Sequence, residues 1–393
     1  MLDATALPAP SPDAAAVSAA LSDVIAQAIA KAGGSIGFDE YMRMALYEPG
    51  LGYYLAGAVK FGAAGDFVTA PEISSMFGTC IARAGREILE ATGGNVLEFG
   101  AGSGALAASV LTALAAADCL PQTYTIIELS PDLRERQHAT IAQRCPDALA
   151  RVRWINTLPD TPFDGFVIAN EILDAFPVRV FALAAGAITE RRVRNRARAF
   201  EWVSAPADAA LERAVRERLG EEMIAREQAY VSEINTGIEP WINDLARILR
   251  RGAALLVDYG YPRTEYYHAS RQAGTLQCHY RHRVHDDPFF LPGLQDLTAS
   301  VDFTQVAEAA DASGFHIAGF AEQGSFLLAT GLLDELAALS LEAEEAYRQR
   351  LAFEAKVLTM PGEMGSRFKF IALARDYAQP IAGFGLRDDR HRL

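Results

Sequence analysis

The chain has 393 residues, of which 50% are hydrophobic, so it can bury one large core or the cores of two domains. Its formal net charge of −14 at pH 7 disfavours general nucleic-acid binding, because phosphate backbones attract basic surfaces. The first 30 residues contain no Lys or Arg to start a presequence, and no apolar run approaches the ~20 residues that span a bilayer. We therefore expect a cytoplasmic bacterial protein without membrane insertion.

The cysteines indicate reduced thiols, since no two of them have C-x-x-C spacing. They are Cys80, Cys119, Cys145 and Cys278. Cys278 stands near three histidines, His279, His282 and His285, which are residue types that bind zinc. No second cluster completes a zinc site, so we expect no metal.

The N-terminal region is predicted to hold a loose Ala- and Pro-rich tail over residues 1–17, followed by two packing helices over 18–32 and 38–46. The next stretch, 47–78, has six glycines and several aromatic residues, which is typical of an ordered functional loop rather than a linker. Within it, Asp66, Thr69 and Glu72 are expected to cover a cofactor, and a helix is predicted over 73–91.

The segment NVLEFGAGSGALAASVL, residues 95–111, reads as a buried strand, a glycine-rich turn and a helix. Gly100, Gly102 and Gly104 lack a Cβ, so backbone N–H groups can approach a ligand at the helix N-terminus. The spacing also satisfies the relaxed dinucleotide fingerprint. Glu98 favours S-adenosylmethionine, because a carboxylate there suits a cationic cofactor and repels a pyrophosphate.

Two further strand ends are predicted to complete the cofactor site. The strand 124–128 ends in Glu128, followed by Leu129, at the place of a ribose-binding carboxylate. Since both candidate cofactors carry a ribose, Glu128 fits either one. After the third strand, 152–156, Thr157 and Leu158 are expected near the adenine.

The fourth strand, 163–169, is apolar enough to be central and ends in Asn170, which is expected to contact the cofactor. Glu171 and Asp174 follow. If the turn after the strand is helical, both carboxylates share one face and suit a guanidinium, which takes bidentate partners. The alternative is that these acids cap a helix N-terminus.

The remaining chain alternates strands and helices. An antiparallel meander is predicted over 178–202, helices over 211–226 and 240–251, a fifth strand at ALLVDYG, and a long aromatic excursion after Asp258. A strand over 315–320, helices through 336–356 and a last strand over 368–374 follow. This order predicts an α/β fold with a seven-stranded doubly wound sheet.

Several motifs together resemble one family. They are GDFVTAPEISSMFG, VLEFGAGSGAL, IIELSPDLRERQ, NEILDAFPVRVF, VDYGYP and the run from GTLQCHYRHRVHDDPFF to VDFT. In this order they are similar to the MidA family, whose relatives include an S-adenosylmethionine-dependent arginine methyltransferase that assembles mitochondrial respiratory complex I. Ala101, Ser103 and Asn170 differ from residues that some relatives carry, and these differences leave the substrate open.

The resemblance implies a Rossmann-like class I methyltransferase fold with an N-terminal helical extension and an inserted substrate region. The expected divisions are 1–94 (tail, helices and cofactor-covering loop), 95–177 (first half of the core), 178–235 (insert) and 236–393 (second half, with the excursion 260–303). It also implies S-adenosyl-L-methionine as cofactor and arginine methylation on a protein, with a complex I subunit as one candidate. Glu171 and Asp174 would be the catalytic residues.

Two other functions stay open at this stage. One is a noncatalytic cofactor-binding assembly factor, which the sequence does not separate from an enzyme. The other is a dinucleotide-dependent oxidoreductase, which the long region before the glycine strand disfavours. The oligomeric state is undefined, and a homodimer is one state that the sequence allows.

Overall fold

The structure, a computed structural model, describes residues 7–56, 69–197, 199–226 and 228–393. These residues divide into two compact units. The core unit contains the described residues of 68–172, 241–260 and 303–393, and the accessory unit contains those of 1–67, 173–240 and 261–302. Each unit is therefore assembled from three separate segments of the chain.

The strands, in chain order, are β1 (Ile36–Gly37), β2 (Asn95–Phe99), β3 (Tyr124–Ile127), β4 (Val152–Ile155), β5 (Phe163–Asn170), β6 (Val178–Ala184), β7 (Ala187–Arg196), β8 (Ala199–Pro206), β9 (Tyr230–Asn235), β10 (Leu249–Tyr261), β11 (Gln277–Tyr280), β12 (Arg283–His285), β13 (Asp296–Thr298), β14 (Val301–Asp302), β15 (His316–Glu322) and β16 (Phe368–Arg375).

The helices are α1 (Pro12–Lys31), α2 (Phe38–Tyr47), α3 (Ala70–Ile73), α4 (Ser75–Thr92), α5 (Ala105–Ala116), α6 (Pro131–Arg144), α7 (Ala209–Ile224), α8 (Ile238–Ile248), α9 (Arg263–Tyr266), α10 (Phe303–Ala312), α11 (Gln323–Ala329), α12 (Leu332–Ser340) and α13 (Glu345–Thr359).

The core unit is organised around the largest sheet, which has eight strands. Seven follow the order β15-β16-β10-β5-β2-β3-β4, and β14 pairs with β10 outside this order. The five strands from β10 to β4 run parallel, and β16 runs antiparallel between β10 and β15. The predicted doubly wound, mostly parallel sheet is thus confirmed, with eight strands instead of seven because β14 also pairs with β10. The chain order reverses between β2 and β5, and ligands bind beside the carboxyl ends of strands at such a switch point.

The accessory unit contains two antiparallel sheets. The larger has the order β1-β7-β6-β9, with β8 paired to β7, so the predicted meander after the fourth strand is confirmed. The smaller, β12-β11-β13, lies within the aromatic excursion. A buried cluster that includes Tyr41, Val180 and Leu297 joins α1, α2 and both sheets into one core.

Helix α1 corrects two sequence predictions. It begins at Pro12, so residues 12–17 are not a loose tail: the Ser11 side chain accepts from the Ala14 N–H, and Pro12 occupies the first turn. Among the described residues, α1 is also the one helix long and apolar enough to cross a membrane by length and composition, although no such run was predicted. Leu21 and Ile25 on one face of α1 are buried in the accessory core, and a packed core helix passes the same test.

Other helix predictions also differ from the structure. The helix predicted from Ile73 is divided into α3 and α4, because Ser74 is extended and caps α4 by accepting from the Met76 N–H. Helix α8 ends at Ile248, and Arg250 already belongs to β10. No helix follows β5 in the described residues 171–177, so the condition under which Glu171 and Asp174 would share a helix face is not met.

Candidate functional site

The turn between β2 and α5, residues 100–104, is here called the cofactor turn. Its three glycines have φ values of 57°, 53° and 86°, in the left-handed region that side chains with a Cβ rarely adopt. The Gly104 N–H donates to the Ala101 carbonyl at 2.7 Å, which closes the turn just before α5 begins. The N-terminal N–H groups of α5 are thereby presented beside the switch point of the sheet.

Gly104 is required by close packing as well as by φ, whereas the added Cβ on Gly100 meets only the end of a side chain that can move. A Cβ on Gly104 would lie 2.9 Å from the Gln137 Cα of α6, which is a backbone atom that cannot rotate away. A Cβ on Gly100 would lie 2.7 Å from the Ile172 Cδ1. Gly102 has nothing within 4 Å of its hypothetical Cβ, so only its φ needs glycine.

Gln137 connects three parts of the core unit and was not singled out from the sequence. Its Nε2 donates to the Gly102 carbonyl at 3.1 Å and to Glu128 Oε2 at 2.9 Å. Its Oε1 accepts from the Trp154 indole N–H at 2.9 Å. The fully buried amide therefore fixes the cofactor turn relative to the ends of β3 and β4. A lone glutamine within a polar helix carries no local signal for this role.

The Glu128 carboxylate lies just after β3 and is buried. One oxygen accepts from the Ser130 N–H at 2.9 Å and the other from Gln137. Burial raises the pKa of this carboxyl, and these two hydrogen bonds act in the opposite direction. Each carboxylate oxygen has two lone pairs, so acceptor capacity beyond these bonds suits the hydroxyls of a ribose.

Glu98 is 1% exposed and accepts a hydrogen bond from the Tyr124 hydroxyl at 2.6 Å. Its pKa is raised to about 7, mainly by burial; the charge of Glu128 contributes to this rise, and the Tyr124 hydrogen bond opposes it. The hydrogen bond described for the Glu98 carboxylate therefore joins two neighbouring strands, β2 and β3. The predicted interaction of Glu98 with a cationic cofactor stays a prediction.

The segment before α4 reaches the cofactor turn through Glu72, whose Oε1 accepts from the Ser103 hydroxyl. Thr69 precedes α3, and its carbonyl accepts from the Glu72 N–H at 3.0 Å, so it supports this segment from the backbone. Asp66 lies outside the described residues. The contact between Glu72 and Ser103 brings this segment to the cofactor turn. That Thr69 and Glu72 cover a bound cofactor stays a prediction.

The remaining predicted cofactor contacts lie at the ends of β3 and β4. Leu129 follows Glu128 and is 53% exposed, which leaves a large apolar side chain open to a ligand. Strand β4 ends at Ile155, one residue earlier than predicted, and Thr157 and Leu158 lie in the bend and loop that follow. The expected contact of Thr157 and Leu158 with the adenine stays a prediction.

The carboxyl end of β5 adjoins the cofactor turn, because Phe99 of β2 pairs with Ala169. The next residue, Asn170, donates from its Nδ2 to Glu171 Oε1 at 3.0 Å. Glu171 has a φ of 53°, which costs energy for a non-glycine residue, and its N–H donates to the Val257 carbonyl at 2.8 Å. The left-handed turn ends the strand and replaces the helix that was expected.

Asp174 is 6% exposed and belongs to the accessory unit, whereas Glu171 belongs to the core unit. Because no helix follows β5 in the described residues 171–177, Glu171 and Asp174 neither share a helix face nor cap a helix there. Their predicted roles at the acceptor are not tested by this change.

The core unit fits S-adenosylmethionine in two respects. The Oδ1 of Asn170 is buried and has no hydrogen-bond partner among the described residues, so an N–H donor of a bound ligand would satisfy it. The cofactor turn and the Glu128 carboxylate supply the backbone cradle and the ribose acceptor that the cofactor needs. Asn170, Glu128 and the three glycines are thus the residues that would hold it.

Comparison with known proteins decides between the open alternatives. Residues 80–321 match a family model described as an S-adenosyl-L-methionine-dependent methyltransferase. The chain belongs to this family. It is 31% identical to the mitochondrial protein arginine methyltransferase NDUFAF7 homolog of Drosophila melanogaster, over 89% of this chain and 85% of that one. The human protein of that name is 28% identical, over 87% and 81% of the two chains.

Solved structures agree with this assignment. A superfamily member from Burkholderia thailandensis, crystallised with S-adenosyl-homocysteine, is 43% identical and superposes with a TM-score of 0.92 over 99% of this chain and 100% of that chain. A native structure from the same organism is 41% identical, with a TM-score of 0.91 and the same coverage. The chain is therefore an S-adenosyl-L-methionine-dependent methyltransferase of class I fold, as predicted, rather than a dinucleotide-dependent oxidoreductase or a noncatalytic binding protein.

Proposed function

We propose that this methyltransferase modifies arginine side chains of a protein. The observation that carries the proposal is Glu171, a carboxylate on a left-handed residue at the end of the strand beside the cofactor turn. Backbone strain of this kind persists where the surrounding structure imposes it, and it is concentrated at functional sites. The curated relatives, named as protein arginine methyltransferases, support the same acceptor.

A carboxylate at this position suits a guanidinium for two reasons. It can accept two parallel N–H···O bonds, which fixes the plane of the guanidinium and aims one nitrogen. It can also take the proton that this nitrogen loses when it becomes methylated. The cofactor supplies the methyl group as part of a sulfonium, which leaves as a neutral thioether, so no covalent intermediate with the protein is needed. Asp174 is proposed as a second acceptor carboxylate.

The proposal also covers the location, the substrate and the oligomeric state of the protein. We infer that the protein works in the bacterial cytoplasm and that its substrate is a respiratory complex I subunit. The mitochondrial relatives support a protein substrate, and the family resemblance supports complex I. A homodimer is the oligomeric state that we propose to test.

The test uses tritiated S-adenosylmethionine, the purified chain, and cell extract from a strain that lacks the enzyme. Label is expected on one protein, with mass spectrometry placing the added methyl groups on arginine. The host's complex I subunits, supplied individually, test the narrower assignment. Methyl groups on lysine or glutamine would overturn the arginine proposal, and label on an unrelated protein would overturn only the complex I assignment.

Asp174→Asn gives a second test of the acceptor region. It removes a charge and keeps the shape, so methyl transfer should fall while the affinity for S-adenosyl-homocysteine, measured by calorimetry, stays within about twofold. The matched control is Asp132→Asn, an exposed acid on α6. Equal activity of both variants would remove Asp174 from the acceptor site.

A further inference from the structure

Two neighbouring helices of the core unit, α12 and α13, carry a concentration of exposed apolar side chains. Leu333, Leu341 and Phe353 are 59%, 81% and 63% exposed, and Tyr347 and Met360 are exposed as well. Only four other large hydrophobic side chains are exposed in the described part of the chain. Single exposed apolar residues are ordinary, whereas a group of them marks an interaction surface. The exposed apolar residues of these two helices are here called the apolar helix face.

On α12 these residues form one stripe. Leu333, Ala337 and Leu341 are all exposed and follow each other at intervals of four residues, so they share one side of the helix. On the opposite side, the Glu335 carboxylate forms an ion pair with the Arg83 guanidinium of α4 at 2.6 Å. Helix α12 is therefore held to the core unit by one side and presents its apolar stripe on the other.

Helix α13 packs against α12 and has an apolar stripe of its own. Ala346 and Phe353 are exposed and lie seven residues apart, which places them on one side of the helix, and Met360 follows the helix end. Leu351 and Leu358 lie on the opposite side and are buried in the core. Two helices in contact thus each leave an apolar stripe exposed.

The charge beside the α12 stripe is acidic. Residues 332–345 contain five Asp or Glu and no Lys or Arg, and two of the five acids are neutralised by ion pairs with Arg83 and Arg348. The other three form no ion pair in the described part of the chain; they are Asp334, Glu342 and Glu344. Across both helices, residues 332–359, six acidic residues face three basic ones. Free carboxylates beside an apolar stripe favour a partner that carries Lys or Arg.

This combination selects one kind of occupant. A second copy of the chain is disfavoured at this face, because each copy has a net charge of −14 and would bring the same acidic border against itself. An anionic membrane surface is repelled for the same reason. An amphipathic helix with a basic border satisfies both the apolar stripes and the free carboxylates, since such a helix lays its apolar side into a groove between helices.

We propose that the apolar helix face is the docking site for a basic amphipathic helix of a partner protein. The apolar side chains of that helix cover Leu333, Leu341 and Phe353, and its Lys or Arg side chains lie beside Glu342 and Glu344. This face belongs to the same compact unit as the cofactor turn. The inference goes beyond the proposed function, because it holds whichever side chain receives the methyl group.

The binding test titrates the full chain with three fluorescent peptides of about 18 residues, the length of five helical turns. One contains Leu and Lys in amphipathic helical order, the second has the same composition in scrambled order, and the third replaces Lys by Glu. We expect saturable binding of the first, at least about tenfold tighter than that of either other peptide and weaker at high salt. Equal binding of the scrambled peptide, or no saturable binding of the first, would overturn the inference.

Apolar variants locate the site. Leu341→Ser and Phe353→Ser should each weaken binding of the ordered Leu/Lys peptide by about tenfold, because large apolar anchors dominate the affinity of such contacts. The matched control is Leu386→Ser, which changes an equally exposed leucine outside both helices and should bind like the wild type. If all three variants bind the peptide equally well, the peptide does not dock on the apolar helix face.

Charge variants test the acidic border separately. The double variant Glu342→Gln with Glu344→Gln should bind the ordered Leu/Lys peptide a fewfold more weakly and with a smaller salt dependence, since exposed charges contribute modestly. Its control is Asp132→Asn with Glu135→Gln, which removes two exposed acids of α6 and leaves the border intact. Equal salt dependence of the two double variants would contradict the role of the border.

Analytical ultracentrifugation tests the competing occupant. A wild-type chain that self-associates and becomes monomeric in Phe353→Ser would show that the face binds a second copy, and the proposal would be wrong. The changed side chains are exposed, so each variant should keep the thermal transition of the wild type. None of these measurements involves methyl transfer, so the proposed function stands or fails independently.

Discussion

The cofactor turn and the Tyr54–Asp296 contact of the accessory unit are built in different ways. The turn lies within one run of residues from β2 to α5, and its glycines follow each other at every second position. The contact joins two residues that are 242 positions apart in the chain. The turn is thus a local backbone motif, whereas the contact depends on side chains that only the folded accessory unit brings together.

The largest effect is expected where the turn contacts α6. Gly104→Ala adds a Cβ 2.9 Å from the Gln137 backbone at a φ of 86°, so the combined backbone strain and overpacking should cost about 2 to 5 kcal/mol. Unfolding in urea and calorimetry with S-adenosyl-homocysteine measure the losses of stability and affinity. Gly314→Ala is the matched control, since its φ is 82° and nothing lies within 4 Å of the added Cβ. Equal losses in both variants would show that packing against α6 is unimportant.

The buried pair of Glu98 and Tyr124 predicts a dependence of stability on pH. Because the pKa of Glu98 in the fold is about 7 against an ordinary value of 4.5, proton uptake stabilises the fold fully below about pH 4.5, and this contribution is lost as the pH rises through about 7. Glu98→Gln removes the carboxyl that ionises, so this loss of stability at high pH disappears. The variant should therefore be more stable than the wild type by up to roughly 3 kcal/mol at about pH 8. Urea unfolding at about pH 5 and pH 8 checks this. A variant less stable at both values would contradict it.

Glu128 tests the ribose end of the site. Removing a buried acceptor that pairs with hydroxyls should weaken the binding of S-adenosyl-homocysteine by roughly 1 to 3 kcal/mol in Glu128→Ala. The exposed Glu135 on α6 provides the control, Glu135→Ala, which should bind normally. Unchanged calorimetric affinity in Glu128→Ala would remove this residue from the cofactor site.

The smallest effect concerns the support of Gln137. Trp154→Phe keeps an aromatic ring and removes the N–H that donates to Gln137 Oε1 at 2.9 Å, so the affinity for S-adenosyl-homocysteine should fall by about 1 kcal/mol or less. Trp202→Phe in the accessory unit serves as the control. If the two variants bind alike, the link from β4 to the cofactor turn does not contribute to binding.

The two regions differ in how much of their structure is encoded by neighbouring residues. Buried strands and glycine spacing are local, so the alternation of strands and helices, the strand, turn and helix over residues 95–111 and the position of Glu128 after β3 were predicted correctly. The start of α1 was predicted wrongly, although Ser11, Pro12 and Asp13 form a helix-start signal. By contrast, nothing local distinguishes Gln137 or Asp296 from other polar residues.

The error at Glu171 has a similar origin. Its three-residue spacing from Asp174 predicted a shared helix face only if a helix followed β5, and tertiary bonding decided otherwise. The Glu171 N–H is held by the Val257 carbonyl of the neighbouring strand β10, which fixes the left-handed turn. A backbone conformation set by a partner 86 positions away cannot be inferred from a local pattern.

The central claim is that the core unit binds S-adenosylmethionine while a carboxylate beside it directs the methyl group to arginine. Glu171→Gln tests it most directly, because the change keeps the shape of the side chain and removes the charge. The affinity for S-adenosyl-homocysteine and the rate of methylarginine formation, followed by mass spectrometry, are measured on the same preparation. We predict an affinity within about twofold of the wild type and a rate lower by on the order of a hundredfold. Full activity of Glu171→Gln would contradict the account.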